Sequence, residues 1–173
     1  DIPKSMAIEQ GNFLKHYLRR EVQEGLAQGA KGRETAVKYG EHGFGKRPDV
    51  LQFPTDVAEL AKKGATSFHV SEERWSNPLV LEPNMRKTDI DNLRTGWDLV
   101  LDIDALHWSV SKITAWLIVK SLEEQGIKSI SVKFSGNKGW HIGVPFEAFP
   151  QKIDRGGQAV ETRFLFPEAP RII

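Results

Sequence analysis

Leu99-Val100-Leu101-Asp102-Ile103-Asp104 opens as an apolar run and closes on two acids one residue apart. With Trp97 in front of it, the run reads as a buried strand over residues 97–103, because a strand covered on both faces is apolar throughout. Side chains alternate along a strand, so Asp102 and Asp104 share one side while Ile103 points into the core. Like charges that close repel unless a cation lies between them, and Mg²⁺ and Mn²⁺ accept carboxylate oxygens while sharing coordination with substrate phosphates. Asp-x-Asp is also a common solvated strand ending, so the pair needs a second element before it carries chemistry.

That element lies downstream. Ser109 or Ser111 can cap a helix over residues 112–125, with Ile113, Trp116, Leu117, Val119 and Leu122 on its inner side and Gly126 as its stop. A strand over 127–134 then leads into Ser135-Gly136-Asn137-Lys138-Gly139-Trp140-His141, and another follows over 141–144. The turn offers backbone N–H groups, a hydroxyl and an ammonium, which suit a phosphate chain, and His141 can donate to a phosphate oxygen. Taken alone, such a turn is an ordinary hairpin loop. Strand, helix, strand, glycine-rich turn, strand is an α+β arrangement in which Asp102, Asp104 and His141 can occupy one sheet face.

Upstream the pattern is looser. Ile8, Phe13, Leu14, Tyr17, Leu18, Val22 and Leu26 recur at helical spacing, predicting one amphipathic helix over residues 6–28. Residues 36–39 and 50–53 read as short strands around the loop Gly43-Phe44-Gly45-Lys46-Arg47-Pro48. Thr55 can cap a helix over 56–63, which Gly64 stops, and 66–70 alternates as a strand. Residues 76–94 show no repeat and read as a long connection. This divides the chain into an N-terminal α/β lobe over 1–78, a connection over 79–93 and a C-terminal lobe over 94–173.

The 173 residues carry 24 basic and 23 acidic side chains, a net charge of +1, so a nucleic-acid surface must be a local patch rather than a global field. Cys is absent, which excludes disulfides, thiolate nucleophiles and Cys-ligated zinc. No apolar stretch is long enough to span a bilayer and no signal-peptide pattern opens the chain, so a cytoplasmic protein without a membrane partner is the expectation. The first residue is not Met and the last four, Pro170-Arg171-Ile172-Ile173, are not a polar tail, which reads as a chain cut at one or both ends. His16, His42 and His107 have no companions that would make a metal site.

Leu99-Val100-Leu101-Asp102-Ile103-Asp104 and Lys133-Phe134-Ser135-Gly136-Asn137-Lys138-Gly139-Trp140-His141 together resemble the first and second motifs of the archaeo-eukaryotic primase superfamily, most closely the archaeal primase small subunit. The likeness is strong from about Arg94 to Pro150 and faint from about Phe13 to Pro78. It implies a primase catalytic core of mixed sheets with flanking helices, its C-terminal half RRM-like, working as a DNA-dependent primase or polymerase. Asp102 and Asp104 would hold two catalytic Mg²⁺ or Mn²⁺ ions; Ser135, Gly136, Lys138 and His141 would bind the triphosphate. Lys46 and Arg47 would be a template or nucleotide contact, although a solvated loop is the simpler reading of that pair.

The partners implied are a DNA template, nucleoside triphosphates and a primase large subunit or other replication proteins, at the nucleoid. Two departures stand out. Family members commonly carry a Cys- and His-rich zinc knob between the motifs, whereas here one helix fills that gap and no zinc is expected. The family's third metal-binding Asp has no counterpart before Ile173, since neither Asp154 nor Glu161 has a matching context, so the chain is expected to stop short of the third motif. Other readings of the same residues are a non-catalytic module that binds nucleotide or single-stranded nucleic acid, and a metal-dependent phosphoesterase.

Overall fold

The computed structural model describes residues 4–135 and 138–171, with side chains from residue 11 onward, and divides into two compact units, one up to Leu93 and one from Arg94. Gly136, a predicted phosphate ligand, lies outside the described residues.

The first unit opens with two helices, α1 (Lys4–Tyr17) and α2 (Arg20–Gly29), where the apolar spacing predicts one. The break is at Arg19, whose extended backbone (φ −72°, ψ 130°) cannot continue a helix, and whose carbonyl starts the next by accepting the Val22 and Gln23 amides at 3.1 Å. The Gln23 side chain donates to the freed Tyr17 carbonyl at 3.0 Å. Strand β1 (Thr35–Lys38) pairs antiparallel with β2 (Ser67–Val70), and helix α3 (Pro54–Lys62) lies between them in sequence. The cap of α3 is not Thr55: Pro54 occupies the first turn, and Asp56 reaches back to accept the Gln52 and Phe53 amides at 2.9 Å.

Those two amides are therefore spent on the cap, and residues 50–53 form no strand. The segment instead sends Leu51 into a core with Ala30 and Val57, backed by Tyr17, Leu26, Leu60 and Phe68. Strand β3 (Glu73–Trp75) follows. The predicted connection then contains a short turn of helix at Pro78–Val80 and helix α4 (Lys87–Leu93), held by Arg86–Asp89 and Lys87–Asp91 ion pairs.

In the second unit β4 (Arg94–Trp97) and β5 (Leu99–Ile103) replace the single predicted strand. They part at Asp98, whose carboxylate accepts the Phe146 amide at 3.0 Å. Helix α5 (Trp108–Glu124) starts four residues earlier than its serines predict, and β6 (Ser131–Phe134) starts four later than 127, because the Ile127 amide is bound to the end of α5 at Leu122 O, 3.0 Å. Strand β7 (Trp140–Val144) lies between β5 and β6 in an all-antiparallel sheet of order β5-β7-β6; β8 (Lys152–Asp154) and β9 (Ala159–Glu161) form a separate hairpin.

Helix α5 packs on this sheet through Ser111, Ala115, Ile118 and Leu122, which are spaced at four, three and four residues. Ile113, Trp116 and Leu117, predicted to face inward, are 59%, 58% and 55% exposed. The small residues decide the face, since Ser111 and Ala115 let the helix lie close to the sheet that carries Leu99, Ile142 and Val144. At one edge of the same core Trp97 is ringed by Phe146, Phe149 and Phe166 and donates its indole N–H to Thr162 O at 3.0 Å. The architecture is the α+β class expected.

Candidate functional site

The sheet β5-β7-β6 has one face under α5 and one face open. Leu99 and Ile103 of β5, with Ile142 and Val144 of β7, are buried on the helix side, so alternation turns Val100, Asp102, His141 and Gly143 outward. The register sets Asp102 opposite His141 and His141 opposite Lys133. Acid, imidazole and ammonium thus form one row across three strands, with His141 Nε2 3.5 Å from Asp102 Oδ1. Asp104 stands one residue beyond the end of β5 and is exposed.

Beside the row Gly143 lies between Val100 and Ser131, whose hydroxyl donates to the Gly143 carbonyl at 3.2 Å. Gly143 has no side chain to offer, and a Cβ there would stand 2.6 Å from Ser131 Oγ. A glycine inside a strand is a place where another group can approach the backbone closely.

The described residues of the turn between β6 and β7, Ser135, Lys138 and Gly139, are held against the end of β5 and the start of α5. Ser135 closes the turn twice, its amide donating to Gly139 O at 2.9 Å and its Oγ accepting the Gly139 amide at 3.1 Å. That bond takes an acceptor lone pair of Oγ and leaves the hydroxyl proton for a ligand. Gly139 is pressed so near β5 that a Cβ would lie 2.6 Å from Ile103 O. From the other side, the fully buried Ser111 Oγ of α5 lies 2.5 Å from Lys138 O and 2.9 Å from Trp108 O. Underneath, the rings of Trp108, Phe134 and Trp140 meet at 5.1–5.4 Å. The Lys138 side chain is left exposed on this braced backbone.

The structure therefore brings Asp102, His141, Ser135 and Lys138 to one sheet and one turn, with Asp104 at its edge. Lys133 joins them although the motif spacing does not single it out. Its signal is period two, which puts Lys133 on the side of β6 that meets His141. The bracing residues Ser111 and Gly139 carry no comparable sequence signal, because only the packing of α5 and β5 on the turn shows what they touch.

Lys46 and Arg47 lie in the first unit. Arg47 is committed there to the carboxylate of Glu34, with Nε–Oε1 at 2.7 Å and Nη2–Oε2 at 2.8 Å, and Glu34 is only 7% exposed. That two-pronged bond gives Arg47 a structural duty. Lys46 remains exposed on its loop.

Chemically, the open face offers the Asp102 carboxylate, with Asp104 one residue past the strand end, for a hard cation, and the His141 imidazole and Lys133 ammonium, with Ser135 and Lys138 of the turn, for a polyphosphate. Among the described residues no group of three or more His, Asp and Glu side chains is gathered. A cation at Asp102 and Asp104 would fill its shell with water and phosphate oxygens, as Mg²⁺ does when it uses one or two carboxylates.

No protein-family model matches the chain. An uncharacterized protein from Methanocaldococcus jannaschii is 36% identical over 74 residues, which make up 40% of this chain and 17% of that protein. Among solved structures, the polymerase domain of Mycobacterium tuberculosis ligase D, in complex with DNA, aligns with a TM-score of 0.55 and 19% identity over 89% of this chain and 57% of that one. The chain thus spans less than two thirds of either relative. At that identity the likeness shows the fold alone, one this chain shares with that polymerase domain.

Proposed function

We propose that the intact protein is a template-directed nucleotidyltransferase of primase type, akin to the archaeal primase small subunit, and joins a 3′-hydroxyl to the α-phosphate of a nucleoside triphosphate. The observation that carries this reading is the row Asp102–His141–Lys133 beside the braced turn of Ser135 and Lys138. Asp102 and Asp104 would hold Mg²⁺ or Mn²⁺, which supplies a lowered pKa at the attacking hydroxyl and neutralises charge on the departing pyrophosphate. His141 donates to a phosphate oxygen. Lys133 and Lys138 balance the negative charge that the triphosphate brings, and the Ser135 hydroxyl donates its free proton. Because Ser111 and Gly139 hold the turn before any ligand arrives, these donors need little rearrangement to meet developing charge.

The likeness in fold to a polymerase domain solved in complex with DNA favours a DNA template as partner. A primase large subunit would supply the reach that a near-neutral chain lacks. A second reading follows from the two-acid cation site: a module that binds nucleotide without transferring it. Template-directed incorporation by the full-length protein separates the two. Asp102→Asn with Asp104→Asn is expected to abolish incorporation in Mn²⁺ or Mg²⁺ while the circular dichroism spectrum and Tm stay unchanged. Incorporation by that variant at the parent rate would end the metal assignment, and a parent that binds nucleotide without extending a primer would favour the binding module.

A further inference from the structure

Cations of the first unit differ in how they are neutralised. Arg19, Arg20, Arg47 and Arg86 each sit within 3 Å of an acid, on Glu21, Glu24, Glu34 and Asp89. Among the described residues Lys38 and Lys63 have no such partner, and both line a cavity of about 530 Å³ together with Phe13, Tyr39, His42 and Thr66. Glu41 is the sole acid among the described residues that line it.

The floor of this cavity is rigid. Lys38 is the last residue of β1, and its carbonyl accepts both the Thr66 amide at 2.8 Å and the Thr66 hydroxyl at 3.1 Å. Thr66 Oγ1 in turn accepts the Gly40 amide at 2.9 Å, and Thr66 O takes the Tyr17 hydroxyl at 3.0 Å. Tyr39 is held from behind by Gly45, where a Cβ would come within 3.0 Å of its ring. Two unneutralised ammonium groups over a fixed floor attract anions, while two aromatic rings and a hydroxyl add a face for a planar group. A cavity of this size holds something as large as a nucleotide.

We propose that this groove seats single-stranded nucleic acid, with Lys38 and Lys63 on backbone phosphates and Tyr39 and Phe13 against bases. Charge with interleaved aromatic rings is the combination that grips single strands without reading their sequence. The inference deepens the proposed function by giving the template a place on the first unit, and it rests on that reading for its choice of ligand.

The test is fluorescence anisotropy of the full chain with a labelled oligothymidylate of about 16 nucleotides, within the range of known single-strand grooves. Metal and triphosphate are left out, so the result does not depend on catalysis. Lys38→Glu with Lys63→Glu is expected to weaken binding at least about tenfold and to lower the slope of log K against log salt by about 1.4, or about 0.7 for each phosphate deprived of its ammonium. Should that pair fail to fold, Lys38→Ala with Lys63→Ala keeps the same expectation about the slope.

Lys31→Glu with Lys128→Glu makes the same change in net charge outside the groove and is expected to leave affinity within about twofold. Equal losses in the two pairs would overturn the proposal, as would competition by thymidine monophosphate as effective as that by the oligomer. Asp102→Asn with Asp104→Asn is expected to bind the oligonucleotide like the parent. Loss of incorporation in that variant thus leaves the groove standing, and an unchanged Lys38/Lys63 variant sinks the groove alone.

Discussion

Ser135 Oγ already accepts the Gly139 amide, so what it offers a ligand is its proton, and Lys133 beside His141 offers charge. The two contributions separate kinetically. Lys133→Ala is expected to raise KM for the nucleoside triphosphate about tenfold with kcat nearly kept, which is a loss of about 1.4 kcal/mol of binding shared by ground and transition states. A steady-state titration of primer extension checks it, and a fall in kcat at constant KM would move Lys133 into the transition state instead. At Arg47 the consequence is structural: Arg47→Ala leaves the buried Glu34 carboxylate without its partner and is expected to lower stability by about 1–3 kcal/mol in urea unfolding. Glu34→Gln in the same background should restore part of that loss. Asp102, Ser135 and His141 were legible because strand alternation and motif spacing are local properties of the chain. The duty of Arg47 was not, since Glu34 is brought to it by the fold and nothing between the two residues marks the pair.

The elements were legible in kind more than in extent. Residues 6–28 carry a continuous helical period, yet the extended backbone of Arg19 splits them, and residues 50–53 lose their strand to the cap of α3. On α5 Val119 and Leu122 of the predicted inner stripe meet the core while Ile113, Trp116 and Leu117 do not, because Ser111 and Ala115 give a closer fit to the sheet than Trp116 and Leu117 could. Ser111→Ala removes the hydroxyl that ties the turn to α5; it is expected to lower stability by about 1 kcal/mol and to weaken triphosphate binding without changing metal affinity, as calorimetry would show. In the first unit, burial, and then the neighbouring Glu73, push the Glu72 carboxyl above the usual carboxylate range. Such a group binds its proton more tightly folded than unfolded, so stability falls as pH rises from the ordinary carboxylate range through the raised value and stays low above it. Glu72→Gln is therefore expected to melt above the parent at pH 7, with the gap closing below about pH 4.3, the ordinary Glu value. A gap that widened in acid would refute the assignment.

Across the whole molecule the near-balance of charge conceals a local imbalance, and composition alone could reach no further than the expectation of a patch. Among the described residues no helix is long and apolar enough to cross a membrane. The apolar surface is uneven too: Val110, Ile113, Trp116 and Leu117 all stand exposed on α5. Contiguous apolar surface promotes association. Ile113→Ser with Leu117→Ser is expected to reduce concentration-dependent light scattering by this chain at little change in Tm, and unchanged scattering would show that the patch is inert. The aromatic trio under the phosphate turn has a different consequence, an optical one. Trp108 and Trp140 lie 5.1 Å apart with their ring planes tilted by 35°, near enough for the two indoles to absorb as coupled oscillators rather than separately. Since Trp140 follows the turn directly and Trp108 shares Ser111 with it, a ligand that shifts the turn by a fraction of an ångström should alter their joint circular dichroism band, giving the site a built-in chromophore that needs no label.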